Sequence, residues 1–240
     1  MLKNICLLVF FVLFSGATFK KKDRILVFSK TTAHRHSSIK VGKQAILKLG
    51  AANGLLVDTT EDASQFNRKN LKKYSAVVFL ITTGPNILDS AQRKSFEKYI
   101  HSGGGYVGIH GASDSEYDWE WYGKLVGGRF EGHPPEQSAK VNVIDKNHPA
   151  TRNIPAIWER HDEWYNFKNL QPTIKVLMKL DETSYKGGKH KNDHPIAWCQ
   201  EFEGGRSFYT ELGHTPKSYS EPLYLTHLLG GIKWAMGRDK

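Results

Sequence analysis

Cysteine is scarce in this sequence: the chain of 240 residues has two, Cys6 and Cys199. Cys6 lies in an apolar N-terminal stretch typical of a cleavable leader, so a mature chain would keep Cys199 alone. One thiol cannot form an internal disulfide bond, which excludes a small disulfide-stabilised scaffold. The sequence also lacks internal repeats and an interdomain linker, and its length suits one α/β domain with its own core.

The N-terminal stretch has the three parts of a secretory signal peptide. Lys3 gives a positive start, residues 5–14 are apolar without interruption, and residues 15–17 are small. The stretch is too short for a stop-transfer helix. We therefore predict a signal peptide at residues 1–17 and one domain at residues 18–240. The mature protein would be periplasmic or secreted from a bacterial envelope, with no transmembrane helix after cleavage; an uncleaved N-terminal anchor is the alternative.

No motif for nucleic-acid binding accompanies the basic charge of the chain. Lysine and arginine number 34 against 24 aspartate and glutamate, which gives a formal net charge of +10. The basic residues are spread in small groups, such as Lys20–Lys22 and Lys186–Lys191, instead of forming one stripe. This distribution is typical of a solvated basic surface. We therefore predict no nucleic-acid partner.

Short apolar runs alternate with amphipathic segments through the first half of the chain. Residues 25–28, 55–57 and 76–81 predict buried strands, and residues 39–49 and 90–101 predict helices. This alternation is typical of βαβ units and a parallel sheet.

A fourth apolar run, residues 103–109, begins with glycines and ends at His110, and Asp114 follows closely. In open α/β sheets, ligands bind in the crevice outside the carboxyl ends of the strands. We therefore predict that His110 and Asp114 face this crevice, where a histidine near a carboxylate suits acid–base chemistry. The alternative is a core histidine whose ring bonds to the backbone.

The second half of the chain is less regular and rich in histidine and aromatic residues. Residues 158–165 are densely polar and aromatic. A hairpin is predicted over residues 194–212, with its turn at residues 203–204. The two ends of a hairpin lie near each other, so we expect His194 and His214 to be neighbours.

Several stretches together resemble the ThuA-like (trehalose-utilisation) family, and in order and spacing they cover essentially all of residues 24–237. The stretches are His36–Ile39, Gly103–Asp114, Trp121–Gly123, Leu125–Pro134, Asp162–Tyr165, His194–Trp198, Gly205–His214, Tyr219, His227–Ile232 and Trp234. The resemblance implies an α/β fold like that of class I glutamine amidotransferases. That fold is a flavodoxin-like three-layer sandwich with a mainly parallel sheet.

The resemblance also argues against one activity. In class I amidotransferases the turn after the fourth strand holds a nucleophilic cysteine, and in this chain His110 occupies the matching position. Cys199 lies within a predicted strand beside Trp198. We therefore predict that the protein is not a glutamine amidotransferase, because thiol acyl chemistry lacks its nucleophile.

The ThuA-like family is linked to the use of trehalose and related disaccharides, often beside oxidoreductases that make 3-keto sugars. The resemblance therefore implies an enzyme of disaccharide or 3-keto-sugar catabolism, of isomerase, lyase or hydrolase type. Its substrate would be a small carbohydrate. The alternative is a non-catalytic sugar-binding or accessory protein for a partner sugar oxidoreductase.

Polar and aromatic residues in the predicted loops are the candidates for these roles. Acid–base catalysis needs a base that removes a proton next to a carbonyl and a group that polarises the oxygen. The candidate catalytic residues are His110, Asp114, Glu163 and His214. Groups that could bind hydroxyls or stack on a sugar give the candidate substrate-binding residues, namely His34, His36, Ser37, His133, Trp164, Tyr165, His194 and Trp198.

The same histidines and carboxylates would suit a divalent metal ion such as zinc. No pair has a strong ligand spacing such as H-E-x-x-H. The sequence therefore leaves two alternatives open, a bound divalent metal and a metal-free pocket of hydrogen-bonding side chains, and it does not define the ligands.

Overall fold

The structure, a computed structural model, describes residues 23–238. The signal peptide predicted at residues 1–17 lies outside the described residues. Among the helices of residues 23–238, none is both long enough and apolar enough to cross a membrane.

A large sheet forms the centre of the molecule. In chain order the strands are β1 (Arg24–Phe28), β2 (Leu56–Thr60), β3 (Ala76–Leu80), β4 (Gly105–Ile109), β5 (Arg129–Gly132), β6 (Gln137–Val143), β7 (Ile157–Asp162), β8 (Asn166–Lys168), β9 (Lys175–Leu180), β10 (His194–Phe202) and β11 (Gly205–Thr210). The central sheet has 9 strands in the order β2-β1-β3-β4-β11-β10-β9-β6-β7, and β5 pairs separately with β8.

The direction of the strands determines where their ends meet. From β2 through β1, β3 and β4 to β11, neighbouring strands are parallel. From β11 through β10, β9 and β6 to β7, neighbouring strands are antiparallel. By these pairings β7 points the same way as β4, so both strands end at the same edge of the sheet.

Helices cover both faces of the sheet. They are α1 (Ser38–Ala52), α2 (Arg68–Leu71), α3 (Ser90–His101), α4 (Glu120–Val126) and α5 (Pro222–Ala235). Ile46 of α1 and Leu228 of α5 belong to one core, while Phe96 of α3 and Leu125 of α4 belong to the other. Successive residues of a strand point to opposite faces, so the buried central strands supply both cores. The predicted α/β three-layer sandwich with a mainly parallel sheet is confirmed.

A capping box at the start of α3 and a glycine after its end determine where β4 begins. Asp89 and Gln92 form a capping box, in which the Asp89 side chain accepts a hydrogen bond from Gln92 N at 2.9 Å and Gln92 Oε1 accepts one from Asp89 N at 2.8 Å. Satisfied N–H groups of this kind fix where a helix begins. Gly103, with φ of 89°, reverses the chain after the helix. Strand β4 then runs through the centre of the sheet to His110.

Candidate functional site

His110 directly follows β4, at the start of a short 3₁₀ turn over His110–Asp114. Its side chain is fully buried, and its backbone has a φ of 48°, in the left-handed region that costs a non-glycine residue about 1–3 kcal/mol. The Tyr209 hydroxyl helps to hold this turn by donating to His110 O at 2.8 Å. His110 Nδ1 lies 2.7 Å from Glu211 O, a carbonyl that can only accept, so Nδ1 carries the proton. In the neutral ring, Nε2 therefore presents a lone pair to the crevice.

Glu163 and His214 meet His110 at this lone pair. Glu163 Oε2 lies 3.2 Å from His110 Nε2 and 3.2 Å from His214 Nδ1, and the two nitrogens are 3.1 Å apart. The other carboxylate oxygen, Oε1, lies 3.2 Å from His133 Nδ1. We call Glu163, His110 and His214 the central triad.

Asp162, the last residue of β7, positions two members of the central triad through their backbone. Asp162 Oδ1 accepts hydrogen bonds from Glu163 N at 3.1 Å and His214 N at 3.2 Å. Its Oδ2 accepts from Gly213 N at 3.2 Å and from Arg160 Nη2 at 3.1 Å. The carboxylate is fully buried, so these bonds replace its lost hydration. One side chain thereby joins the end of β7 to the segment that follows β11.

The outer side of the central triad is formed by Glu136 and two further histidines. Glu136 Oε1 lies 3.0 Å from His214 Nε2. The His36 ring stands edge-on to His110 and His214, with centroid distances of 5.0 and 5.1 Å. His36 is buried, and its Nδ1 has no hydrogen-bond partner. His34 packs on the outside of His36 at 4.6 Å between ring centroids.

Tyr165 lies beneath the central triad. Its hydroxyl is 2.8 Å from His110 Nε2, and the two rings are 4.3 Å apart between centroids. Tyr165 N donates to Glu211 Oε1 at 2.5 Å, and Tyr165 O accepts from His194 Nε2 at 2.7 Å. Burial raises the pKa of Glu211 well above its usual range.

The charges within the site shift several pKa values. Burial, followed by the nearby His110 and His214, lowers the pKa of His36 to about 3. Burial alone would raise the pKa of Glu163, but the adjacent His110 and His214 outweigh it and hold this pKa well below its usual range. Burial alone would lower the pKa of His214, but Glu163 raises it above the usual value. Around neutral pH, His36 is therefore neutral and Glu163 is ionised.

The other predicted residues occupy different positions relative to the central triad. Burial raises the pKa of Asp114, whose Oδ1 accepts from Tyr117 Oη at 3.0 Å. Ser37 precedes α1, makes no side-chain capping bond, and is exposed.

A cavity of about 160 Å³ opens beside the triad. It is lined by His34, His36, Ser37, Glu136, His214, Thr215 and Pro216.

Five predicted substrate-binding residues are not part of the lining of this cavity, namely His133, Trp164, Tyr165, His194 and Trp198. Three of them, Trp164, Trp198 and His194, are fully buried. The Trp164 indole donates to Gln137 O at 2.8 Å, and the Trp198 indole donates to Val126 O at 2.7 Å. His194 contacts Glu182 through Nδ1 at 2.9 Å, not His214 as the hairpin suggested. Through its bond to Tyr165 O, His194 supports the site from behind.

Glu136 and Glu211 were missing from the sequence prediction, and Asp162 entered it only as an available carboxylate and as part of the stretch Asp162–Tyr165 that resembles the family. Glu211 carried a usable signal, since an acidic residue directly follows a fully buried run of strand residues. A buried acid of this kind needs hydrogen-bond partners and often marks a site. Glu136 carried no comparable signal, because its role depends on contacts far along the chain.

The comparison with protein families identifies the fold and the lineage of the chain. The family model of ThuA, described as trehalose utilisation, matches residues 24–235.

The chain belongs to the ThuA family.

Solved structures agree with this assignment. A structure described as a ThuA-like protein from Bacteroides uniformis ATCC 8492 is 28% identical, has a TM-score of 0.76, and matches over 94% of this chain and 96% of that chain. A second, from Parabacteroides merdae ATCC 43184, is 19% identical with a TM-score of 0.74, over 90% of each chain.

A more distant similarity concerns the amidotransferase fold. A structure described as a GMP synthase component from Thermoplasma acidophilum is 12% identical with a TM-score of 0.53, over 90% of this chain and 95% of that chain. At this identity the likeness concerns the fold alone, and it agrees with the amidotransferase-like architecture expected for the ThuA family. No curated protein sequence shows significant similarity to this chain.

Proposed function

We propose that this ThuA-family protein is an exported enzyme that acts on a small carbohydrate, a disaccharide or a 3-keto sugar, by acid–base chemistry at His110. The observation that carries the proposal is the central triad beside a polar cavity. His110 Nε2, His214 Nδ1 and Glu163 Oε2 lie within 3.2 Å of one another. The family description, trehalose utilisation, supports the substrate class.

The chemistry follows from the hydrogen bonds around His110. Because Glu211 O fixes the proton on Nδ1, Nε2 can accept a proton from a carbon next to a carbonyl. His214, backed by Glu136, can donate a proton to the developing oxyanion or to a leaving oxygen. Such a pair serves an isomerase or a lyase, which differ in the atom that receives the second proton. It also serves a hydrolase, in which the base removes its proton from the attacking water and the acid protonates the leaving oxygen.

The cavity is compatible with this class of substrate. Its volume of about 160 Å³ is below the range of about 300–1,000 Å³ that is usual for drug-sized ligands. The lining offers histidine, serine, threonine and carboxylate groups to sugar hydroxyls. We therefore propose that one sugar ring enters the cavity and that any second ring stays outside.

Thiol chemistry has no part in this proposal. Cys199 is buried within β10, and burial raises the pKa of its thiol to about 12. A nucleophilic cysteine needs the thiolate form and access to substrate. Cys199 has neither, and His110 stands at the turn after β4.

The test is turnover of 3-keto-disaccharides followed by NMR. Glu163→Gln keeps the shape of the side chain but removes its charge, and we expect it to lower the rate by about 10²–10⁴-fold. Glu159→Gln, at an exposed position of β7, is the matched control and should leave the rate unchanged. If the wild-type protein binds these sugars and leaves them unaltered, the enzyme proposal fails and the accessory role takes its place.

A further inference from the structure

We propose that the central triad binds a divalent first-row transition-metal ion such as zinc. His36 would be a fourth ligand or would line the coordination position of the ion that the triad leaves open. The ligand atoms would be His110 Nε2, His214 Nδ1, Glu163 Oε2 and a ring nitrogen of His36. One potential ligand atom from each of these four residues lies within 4.8 Å of the others.

The first argument is the spacing of the three closest ligand atoms. They form a triangle with edges of 3.1, 3.2 and 3.2 Å. In a tetrahedral zinc site with bonds of ~2.0–2.1 Å, two ligand atoms lie about 3.3 Å apart. The triangle therefore has nearly the dimensions of one face of such a site. An ion above its centre would reach all three atoms with little movement of the side chains.

The second argument is the protonation pattern that the surroundings impose. His110 Nδ1 donates to Glu211 O, and His214 Nε2 faces the carboxylate of Glu136. Both outer nitrogens thus have acceptors, and such acceptors commonly orient the rings of metal-binding histidines. The inner nitrogens then present lone pairs toward the Glu163 carboxylate. When both rings are neutral, the Tyr165 hydroxyl can donate to one of these three acceptors, whereas a metal ion would satisfy all three.

The third argument is His36. Its side chain is buried with an exposed fraction of 8%, and Nδ1 has no hydrogen-bond partner. An unpartnered buried nitrogen costs free energy unless something binds it. The ring stands edge-on to both His110 and His214, and one of its nitrogens lies within 4.8 Å of the three atoms of the triangle.

Tyr165 competes with a metal ion for the lone pair of His110 Nε2. Its hydroxyl lies 2.8 Å from His110 Nε2 and donates to it when no ion is bound. Binding of an ion must displace this hydrogen bond. Tyr165→Phe removes the competitor, so we expect this variant to bind the ion at least as tightly as the wild type.

The donor set decides which ions are suitable. Up to three imidazole nitrogens and one carboxylate favour zinc or another first-row transition ion, because calcium and magnesium prefer oxygen ligands. With the ion bound, His110 Nε2 would be a ligand and could not accept a proton, so the ion would act in its place by polarising a carbonyl oxygen of the substrate as a Lewis acid. Only this catalytic use rests on the proposed function, since the binding of the ion does not require a sugar.

The experiment measures zinc binding by the full chain without sugar. Protein treated with a chelator is titrated with zinc by calorimetry, and we expect one site per chain. His214→Ala and Glu163→Gln should each weaken binding by at least about 10-fold, while His101→Ala, which changes an exposed histidine, should have no effect. The circular dichroism spectrum of each variant shows whether it is folded, and Tyr165→Phe tests the site with every ligand intact.

Two results would overturn the proposal: wild-type protein that binds no zinc, or a folded His214→Ala variant that binds it as tightly as the wild type. Cobalt(II) absorption provides a second measurement, since its visible spectrum reports imidazole and carboxylate ligation. Zinc binding without any sugar turnover would refute the proposed function alone. Turnover that persists in chelator-treated protein, with no zinc site found, would refute the metal site alone.

Discussion

At the scale of single residues, Asp162 connects the fold to the site. It accepts hydrogen bonds from the backbone of both Glu163 and His214 and pairs with Arg160 in the interior. Arg160 in turn contacts Glu221 through Nη1 at 2.6 Å. These bonds cross from β7 to the segment after β11, so the spacing of the central triad depends on a side chain that is not itself a member of the triad.

We expect Asp162→Asn to destabilise the protein by about 3–5 kcal/mol. The substitution removes a negative charge that pairs with the buried positive charge of Arg160. Unfolding in urea measures this loss. Asp193→Asn is the matched control: Asp193 also forms an ion pair, with Lys179, but its side chain is exposed, and such pairs contribute about 0–1 kcal/mol. Equal losses for the two variants would contradict the role given to Asp162.

The residues of the central triad could be predicted individually but not as a group. The sequence indicates His110 because it ends an apolar run, Glu163 because it lies in a polar and aromatic segment, and His214 because it follows the predicted hairpin. Their meeting point depends on Asp162 and on strand directions that no local pattern reveals. The positions of Trp164 and Trp198 could not be predicted for a different reason. An indole that could stack on a sugar has the same sequence signature as an indole buried in a core.

At the scale of elements, the parallel half of the sheet was predictable and part of the antiparallel half was not. Strands β1, β3 and β4 are buried on both faces and read as continuous apolar runs. β7 alternates between exposed and buried residues, but its inward positions include Arg160 and Asp162. Because these buried residues are charged, the usual alternation of apolar and polar residues is hidden, and the segment does not resemble a strand.

The β10–β11 hairpin was predicted with its turn at the right place. Its central residues, Glu203 and Gly204, have φ values of 47° and 91°. Two positive φ values in a two-residue loop are typical of a type I′ turn, whose twist matches that of the strands. The turn fixes the register in which β11 carries Glu211 to the site.

Gly204→Ala should therefore destabilise the hairpin. A Cβ at this position would lie 3.0 Å from His101 O, and alanine disfavours the left-handed backbone. We expect a loss of more than about 1 kcal/mol in the free energy of unfolding, measured in urea. Glu201→Ala, an exposed change in β10, should stay within about 0.5 kcal/mol of the wild type. An unchanged stability for Gly204→Ala would show that the turn does not constrain the hairpin.

At the scale of the whole molecule, the fold class and the family follow from motifs spread along the entire chain, and the family match covers residues 24–235. The N-terminal 17 residues precede this match and carry the signal-peptide pattern. Export and cleavage remain our proposal. They would remove Cys6 and leave Cys199 as the single thiol, buried within β10.

Expression of the full-length chain in a bacterial host tests this proposal by mass spectrometry of the cell fractions. We expect the periplasm or medium to contain a chain that lacks residues 1–17. Its one thiol should react with a thiol reagent only after denaturation, because Cys199 is buried and its pKa is raised to about 12. Leu8→Arg interrupts the apolar run of the leader and should leave an unprocessed chain in the cytoplasm. A full-length chain recovered from the membrane fraction would instead identify the N-terminal stretch as an uncleaved anchor.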